Sequence, residues 1–103
     1  MQLQTYTASQ IVADINSHIV KSGSKSYTEW YCGITSDIEQ RMFTDHNVQK
    51  QGAWWIHRRG ATDDEARNAE ITMHDKGCAG SHGGGDESSV FVYAYKITPT
   101  TRE

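Results

Sequence analysis

The chain has 103 residues, a hydrophobic fraction of 36% and a formal charge of -3 from ten basic and thirteen acidic side chains. That length holds one domain and no second core, so any function sits on a single fold spanning 1–103. The charge excludes a global positive field that would draw in nucleic acid, the two cysteines exclude a disulfide scaffold, and no apolar run is long enough for a membrane span.

Mean hydropathy is low, -0.70, but three tryptophans, five tyrosines and two phenylalanines supply large anchors for a core. Cys32 and Cys78 stand apart from any Cys-x-x-Cys spacing, and Met1-Gln2-Leu3-Gln4-Thr5-Tyr6 has neither the basic nor the apolar region of a leader. The expectation is a soluble, cytoplasmic protein with reduced thiols.

Thr7-Ala8-Ser9-Gln10 has the form of a capping box, and Ile11, Ile15 and Ile19 recur at helical spacing, which predicts an amphipathic helix over 8–22. Aromatic and β-branched residues predict a strand from Tyr27 to Thr35. Ser36-Asp37-Ile38-Glu39 is a second capping box and predicts a helix reaching about His46. Ala53–Arg58 reads as a short strand, and Thr62-Asp63-Asp64-Glu65 opens a third helix that Gly77 closes. The glycine-rich segment Cys78–Asp86 reads as a mobile loop, Ser89–Ile97 as the last strand, and Thr98–Glu103 as a polar tail expected to fray. This order suits an α/β chain in the loose α+β sense, and several two-layer sandwiches satisfy it.

On the third helix Ala66, Ala69 and Met73 form the apolar stripe, and Glu70 falls within it. An inward carboxylate needs compensation, either from Arg41 or Arg67 or from a hard cation such as Mg²⁺. Arg41 can clamp a phosphate oxygen bidentately or pair with Asp37 or Asp45 one turn away. Tyr31 can fill the core or present its hydroxyl to a water as acid or base. His46 can act as a base, hold a phosphate or complement the helix dipole. His74, Cys78 and His82 are spaced by four, but Gly77 breaks the shared face, so no zinc site is expected. The glycine loop could cradle an anion but lacks the P-loop lysine. Trp54, Trp55, His57, Arg58 and Arg59 set rings beside guanidiniums, which suits stacking on unpaired bases and equally a protein interface or a core.

Over about residues 28–77 these motifs together resemble the GIY-YIG endonuclease superfamily. Tyr31-Cys32-Gly33-Ile34-Thr35 stands where that family has its Tyr-Ile-Gly strand, and Arg41 lies at the usual distance of its catalytic arginine. Glu70 resembles its metal-binding glutamate, and His46 is similar in placement to the histidine late in its first helix. No Gly-Ile-Tyr strand precedes Tyr31, and no asparagine follows the glutamate helix. A rearranged strand order, with the final strand (about 89–97) supplying the missing tyrosine through Tyr93 or Tyr95, would complete the set. The resemblance implies a small mixed or antiparallel sheet of three or four strands flanked by three helices. It also implies Mg²⁺- or Mn²⁺-dependent hydrolysis of a DNA or RNA phosphodiester. Tyr31, Arg41, His46, Glu70 and Tyr93 would be catalytic, Glu70 the metal ligand, and Trp55, His57, Arg58 and Arg59 the nucleic-acid contacts. The alternative is a scaffold that has lost the chemistry and binds nucleic acid or a protein partner, or acts as an inhibitor.

Overall fold

The computed structural model describes residues 4–80 and 88–102. Helix α1, Ala8–Lys21, starts on the full Thr7/Gln10 capping box and buries Ile11, Ile15 and Ile19 on one stripe. Helix α2, Asp63–Lys76, starts on Thr62, whose hydroxyl accepts from the Glu65 N–H, and ends at Gly77 with φ of 121°. The expected reciprocal half of that second box is absent because the Glu65 carboxylate accepts instead from the Ala8 N–H at 3.2 Å. One negative charge thereby serves the positive ends of both helices.

Three strands, β1 Trp30–Thr35, β2 Trp55–Arg59 and β3 Phe91–Lys96, form one antiparallel sheet in the order β1-β3-β2. The last strand in sequence is therefore the middle strand in space. Tyr31 faces Tyr95 and Gly33 faces Tyr93 across one seam, while Trp55 faces Tyr95 and His57 faces Tyr93 across the other. Strand alternation divides the side chains cleanly. Trp30, Cys32, Ile34, Ile56, Val92 and Ala94 join α1 and α2 in one core, and Tyr31, Tyr93 and Tyr95 pack with Met42 and Val48 in a second. The result is a small α+β fold whose sheet, flanked by helical segments, is antiparallel throughout.

Three expectations are corrected in detail. The strand expected from Tyr27 begins at Trp30, because Ser26 and Glu29 cap a 3₁₀ turn over Tyr27–Glu29. The helix expected after Ser36 is a π-helical segment, Glu39–Asp45; its second capping box is replaced by Asp37 Oδ1 accepting from the Gln40 N–H, while Glu39 pairs with Lys50 at 2.9 Å. The tail expected to fray is tied down: Thr101 Oγ1 accepts from the Thr98 N–H, and the Arg102 N–H donates to the His46 carbonyl at 2.7 Å. Of the glycine-rich loop, residues 81–87 lie outside those described. Cys32 and Cys78 are free thiols, both buried. Among the described residues no helix is long and apolar enough to cross a membrane.

The outer edge of β2 is closed by side chains and by the N-terminal segment. The His57 carbonyl accepts from Arg58 Nη1 at 2.8 Å, the Arg59 carbonyl accepts from the Tyr6 N–H at 2.9 Å, and His18 bonds the Trp55 backbone. These partners leave little for an added strand to pair with.

His18 lies edge-on to Trp30 and Trp54, with centroids 6.0 and 5.3 Å away. Burial lowers its pKa below the ordinary 6.5, outweighing the Trp55 hydrogen bond that raises it, and Lys21 and Arg58 lower it further. A base with a depressed folded pKa contributes stability that is intact above the unfolded value and lost as pH falls below it. Urea unfolding at about pH 7.5 and about pH 5.5 will therefore show a stability loss that is smaller in His18→Gln than in the unaltered protein. An equal loss in both would remove His18 from the acid response.

Candidate active site

The tyrosine face of the sheet holds most of the residues that the sequence singled out. Tyr31 stacks on Tyr95 at 5.2 Å and 17°, and on Tyr93 at 6.2 Å and 21°. The close seam depends on Gly33, where a Cβ would lie 2.7 Å from the Tyr93 hydroxyl oxygen and 2.8 Å from its ring. Absence of a side chain at Gly33 is what allows the Tyr93 ring to lie across β1.

His46 caps this ring stack. Its Nε2 lies 2.8 Å from the Tyr93 hydroxyl and its Nδ1 lies 2.6 Å from the Arg102 carbonyl oxygen. A carbonyl only accepts, so Nδ1 carries the proton, and Nε2 is left as an acceptor for the Tyr93 O–H. The Tyr95 hydroxyl, 3.0 Å from Nδ1, also donates to the Arg102 carbonyl at 3.3 Å. Burial pushes the Tyr93 phenol far up, Tyr31 adds to the rise, and the hydrogen-bonded Arg41 guanidinium offsets part of it. Tyr93 is thus a neutral donor at physiological pH.

Arg41 is the solvent-facing member. Its side chain is 50% exposed and its Nη1 lies 3.4 Å from Asp45 Oδ2, the one-turn pair the sequence allowed, while the same guanidinium hydrogen-bonds Tyr93. Burial alone would lower its pKa; the phenols of Tyr93 and Tyr31 and the Asp45 carboxylate reverse this, so Arg41 stays charged. π-Winding explains how Arg41 and His46 reach one phenol: the His46 N–H bonds the Arg41 carbonyl, placing residues five apart on adjacent turns. In α-helical winding these two would point to different sides.

Glu70 reaches the sheet from the other side. It lies on α2, which packs on the Cys32 face, and is 3% exposed. Its charge is felt by the Cys32 thiol, which burial, then Cys78, then Glu70 push well above the ordinary range. One turn on, His74 Nε2 lies 2.8 Å from the Cys32 carbonyl oxygen. Among the described residues no three His, Cys, Asp or Glu side chains form a metal-binding group. Mg²⁺ held by one carboxylate takes the rest of its shell from water and phosphate oxygens, and Glu70, 3% exposed on the helix side of the sheet, does not fit that arrangement for a phosphate at Arg41.

The proposed nucleic-acid contacts divide by strand parity. Trp55, His57 and Arg59 share the tyrosine face, with the Trp55 and His57 rings parallel at 5.8 Å and 2° and Arg59 over the Phe91 ring at 5.5 Å. Arg58 points the other way and donates to Asp14 on α1 at 3.0 Å, so it leaves that set. Trp54, 41% exposed, stands against His18 on the helix side.

Sequence reasoning missed Tyr95 as a partner of His46, the Arg102 carbonyl and the π-winding. The aromatic alternation in Val92-Tyr93-Ala94-Tyr95 marks both tyrosines as sharing a face, but nothing local marks a backbone carbonyl at position 102. A chain ending at Ile97 removes that acceptor and the strap around His46. It will unfold at lower urea, by about 0.5–1.5 kcal/mol, the net worth of a lost hydrogen bond. Unchanged stability would make the strap incidental.

Comparison with protein families, with curated proteins and with solved structures gives no match to the chain.

Proposed function

We propose that the chain hydrolyses nucleic-acid phosphodiesters in the manner of the GIY-YIG endonucleases it resembles. The observation that carries the reading is a single phenol, Tyr93, bonded both to an acceptor nitrogen of His46 and to the half-exposed guanidinium of Arg41. The strand bearing it pairs directly with the Tyr31 strand, as the rearranged order requires.

In this reading Arg41 holds a non-bridging phosphate oxygen and stabilises the charge that builds there. An attacking water gives a proton to the Tyr93 oxygen as Tyr93 passes its own to His46 Nε2. The water oxygen bonds phosphorus, the bond to the leaving sugar oxygen breaks, and that oxygen takes a proton from solvent. The Arg102 carbonyl holds His46 in the accepting tautomer, and Tyr31 keeps the rings in register. Glu70, buried on the far side of the sheet, takes no part at this phosphate, and the charge there is met by Arg41.

A second reading, a scaffold that binds nucleic acid or a protein without cutting, draws on one observation: Tyr31, His46, Tyr93 and Tyr95 are each 6% exposed or less. Incubating the protein with single- and double-stranded DNA and RNA and Mg²⁺ or Mn²⁺, beside Arg41→Ala, separates the two. Cleavage by the unaltered protein that the variant loses is the expected result. No cleavage of any substrate overturns the enzyme reading in favour of binding.

A further inference from the structure

The tyrosine site continues into a second feature that the hydrolytic reading does not use. Along β2, Trp55 lies opposite Tyr95 and His57 opposite Tyr93, so their side chains stand one strand-width, about 4.8 Å, from the tyrosine rings. Phe43 meets Trp55 edge-on at 5.0 Å, Trp55 lies parallel to His57, and Phe91 beyond them carries Arg59. All of these side chains are partly exposed. An open groove of about 340 Å³ runs beside them, lined by Ile38, Phe43, His57 and Phe91 with Asp37 and Glu39.

We infer that the substrate of this site is an unpaired nucleic-acid strand, its bases stacked on the Trp55–His57–Phe91 strip and its phosphates running between Arg59 and Arg41. Stacking needs base faces, which a duplex keeps inside its own stack and an unpaired strand offers. The charges agree: Arg59 has no acidic partner among the described residues, and Lys50 neutralises Glu39 on the groove wall. Lys50, so paired, also lies over the Phe43 ring at 5.0 Å. With the β2 edge closed by Arg58, Tyr6 and His18, the open approach is across the face. In a chain of charge -3 only nearby charges act at physiological salt, and with Arg41 paired to Asp45 and Lys50 to Glu39, Arg59 is the strip's principal phosphate contact.

The inference takes the fate of the strand from the hydrolytic reading and the mode of binding from the strip. Its test is fluorescence anisotropy with labelled oligothymidylate and oligouridylate of about 12 nucleotides and a hairpin duplex of similar length, in EDTA so that nothing is cut. Single strands are expected to bind at least about tenfold tighter than the duplex, with Trp55→Ala losing about five- to a hundredfold of that binding. Because Trp55 also packs on Phe43, Arg59→Gln serves as the second variant. It will flatten the slope of log affinity against log salt by about 0.7, the loss of one single-strand phosphate contact. Equal or tighter duplex binding, or single-strand binding that both variants leave unchanged, overturns the inference. Duplex cleavage without single-strand preference defeats this inference and leaves the hydrolytic reading, whereas single-strand binding without cleavage does the reverse.

Discussion

In the hydrolytic reading proposed above, Tyr93→Phe will lower phosphodiester cleavage by roughly 10²- to 10⁴-fold, the range for loss of a positioned acid–base group. The substitution removes one oxygen and keeps the ring, so the stack on Tyr31 and the seam over Gly33 survive. What disappears is the atom that links His46 Nε2 to Arg41. His46 then loses the phenol's hydrogen bond, worth about 0.5–1.5 kcal/mol. Single-turnover cleavage and urea unfolding read the two effects separately. A stability loss with an unchanged rate would assign Tyr93 to packing and sink its chemical role, and Tyr95→Phe provides the comparison, since its hydroxyl meets the Nδ1 side.

Gly33→Ala will destabilise the protein by about 1–3 kcal/mol, the cost of overpacking a filled core. The added methyl meets the Tyr93 hydroxyl and ring at 2.7 and 2.8 Å, well inside contact distance. A flexible side-chain end could swing away cheaply, but Tyr93 is 1% exposed, held by His46 and stacked beside Tyr31. The ring must therefore carry its neighbours with it or break the His46 bond. A Gly33→Ala, Tyr93→Phe double-mutant cycle measures the coupling directly. Additive losses would show that the two residues do not meet as described.

Legibility of this fold in its sequence followed the range of the interactions involved. Both α-helices could be read because their starts are local chemistry, Thr7 with Gln10 and Thr62 with Glu65, and their ends are marked by small residues. All three strands could be read from β-branched and aromatic runs. Strand order could not, because nothing near Phe91–Lys96 says which strands will flank it; only the search for a second tyrosine pointed there. The Glu39–Asp45 segment was legible as helical but not as π-wound, since its winding is tied to where His46 must sit between Tyr93 and the tail. Of the site, Tyr31, Arg41, His46 and Tyr93 meet on one face, which the expected α-helical winding would not have given for Arg41 and His46. Glu70 was legible as an inward carboxylate, but its approach from the Cys32 side is a property of how α2 crosses the sheet. Arg58 was misplaced because Trp54, Trp55, His57, Arg58 and Arg59 were treated as one surface, and strand alternation alone would have separated it from Arg59.

The central position of β3 has a consequence for how the chain reaches its native state. β1 and β2 do not pair with each other; each takes its strand ladder from β3, beside single bridges at Ala79 and Tyr6. A nascent chain that has emerged through the end of α2 can wind its helices and gather Ile11, Ile15, Ile19 and Met73 into a loose cluster, but it can form neither sheet ladder. Sheet assembly waits for β3 to leave the ribosome, and then both seams close around it. Such an assembly is dominated by contacts distant in sequence, which slows folding relative to a hairpin-first order and leaves the β3-facing backbone of β1 and β2 unpaired until β3 emerges.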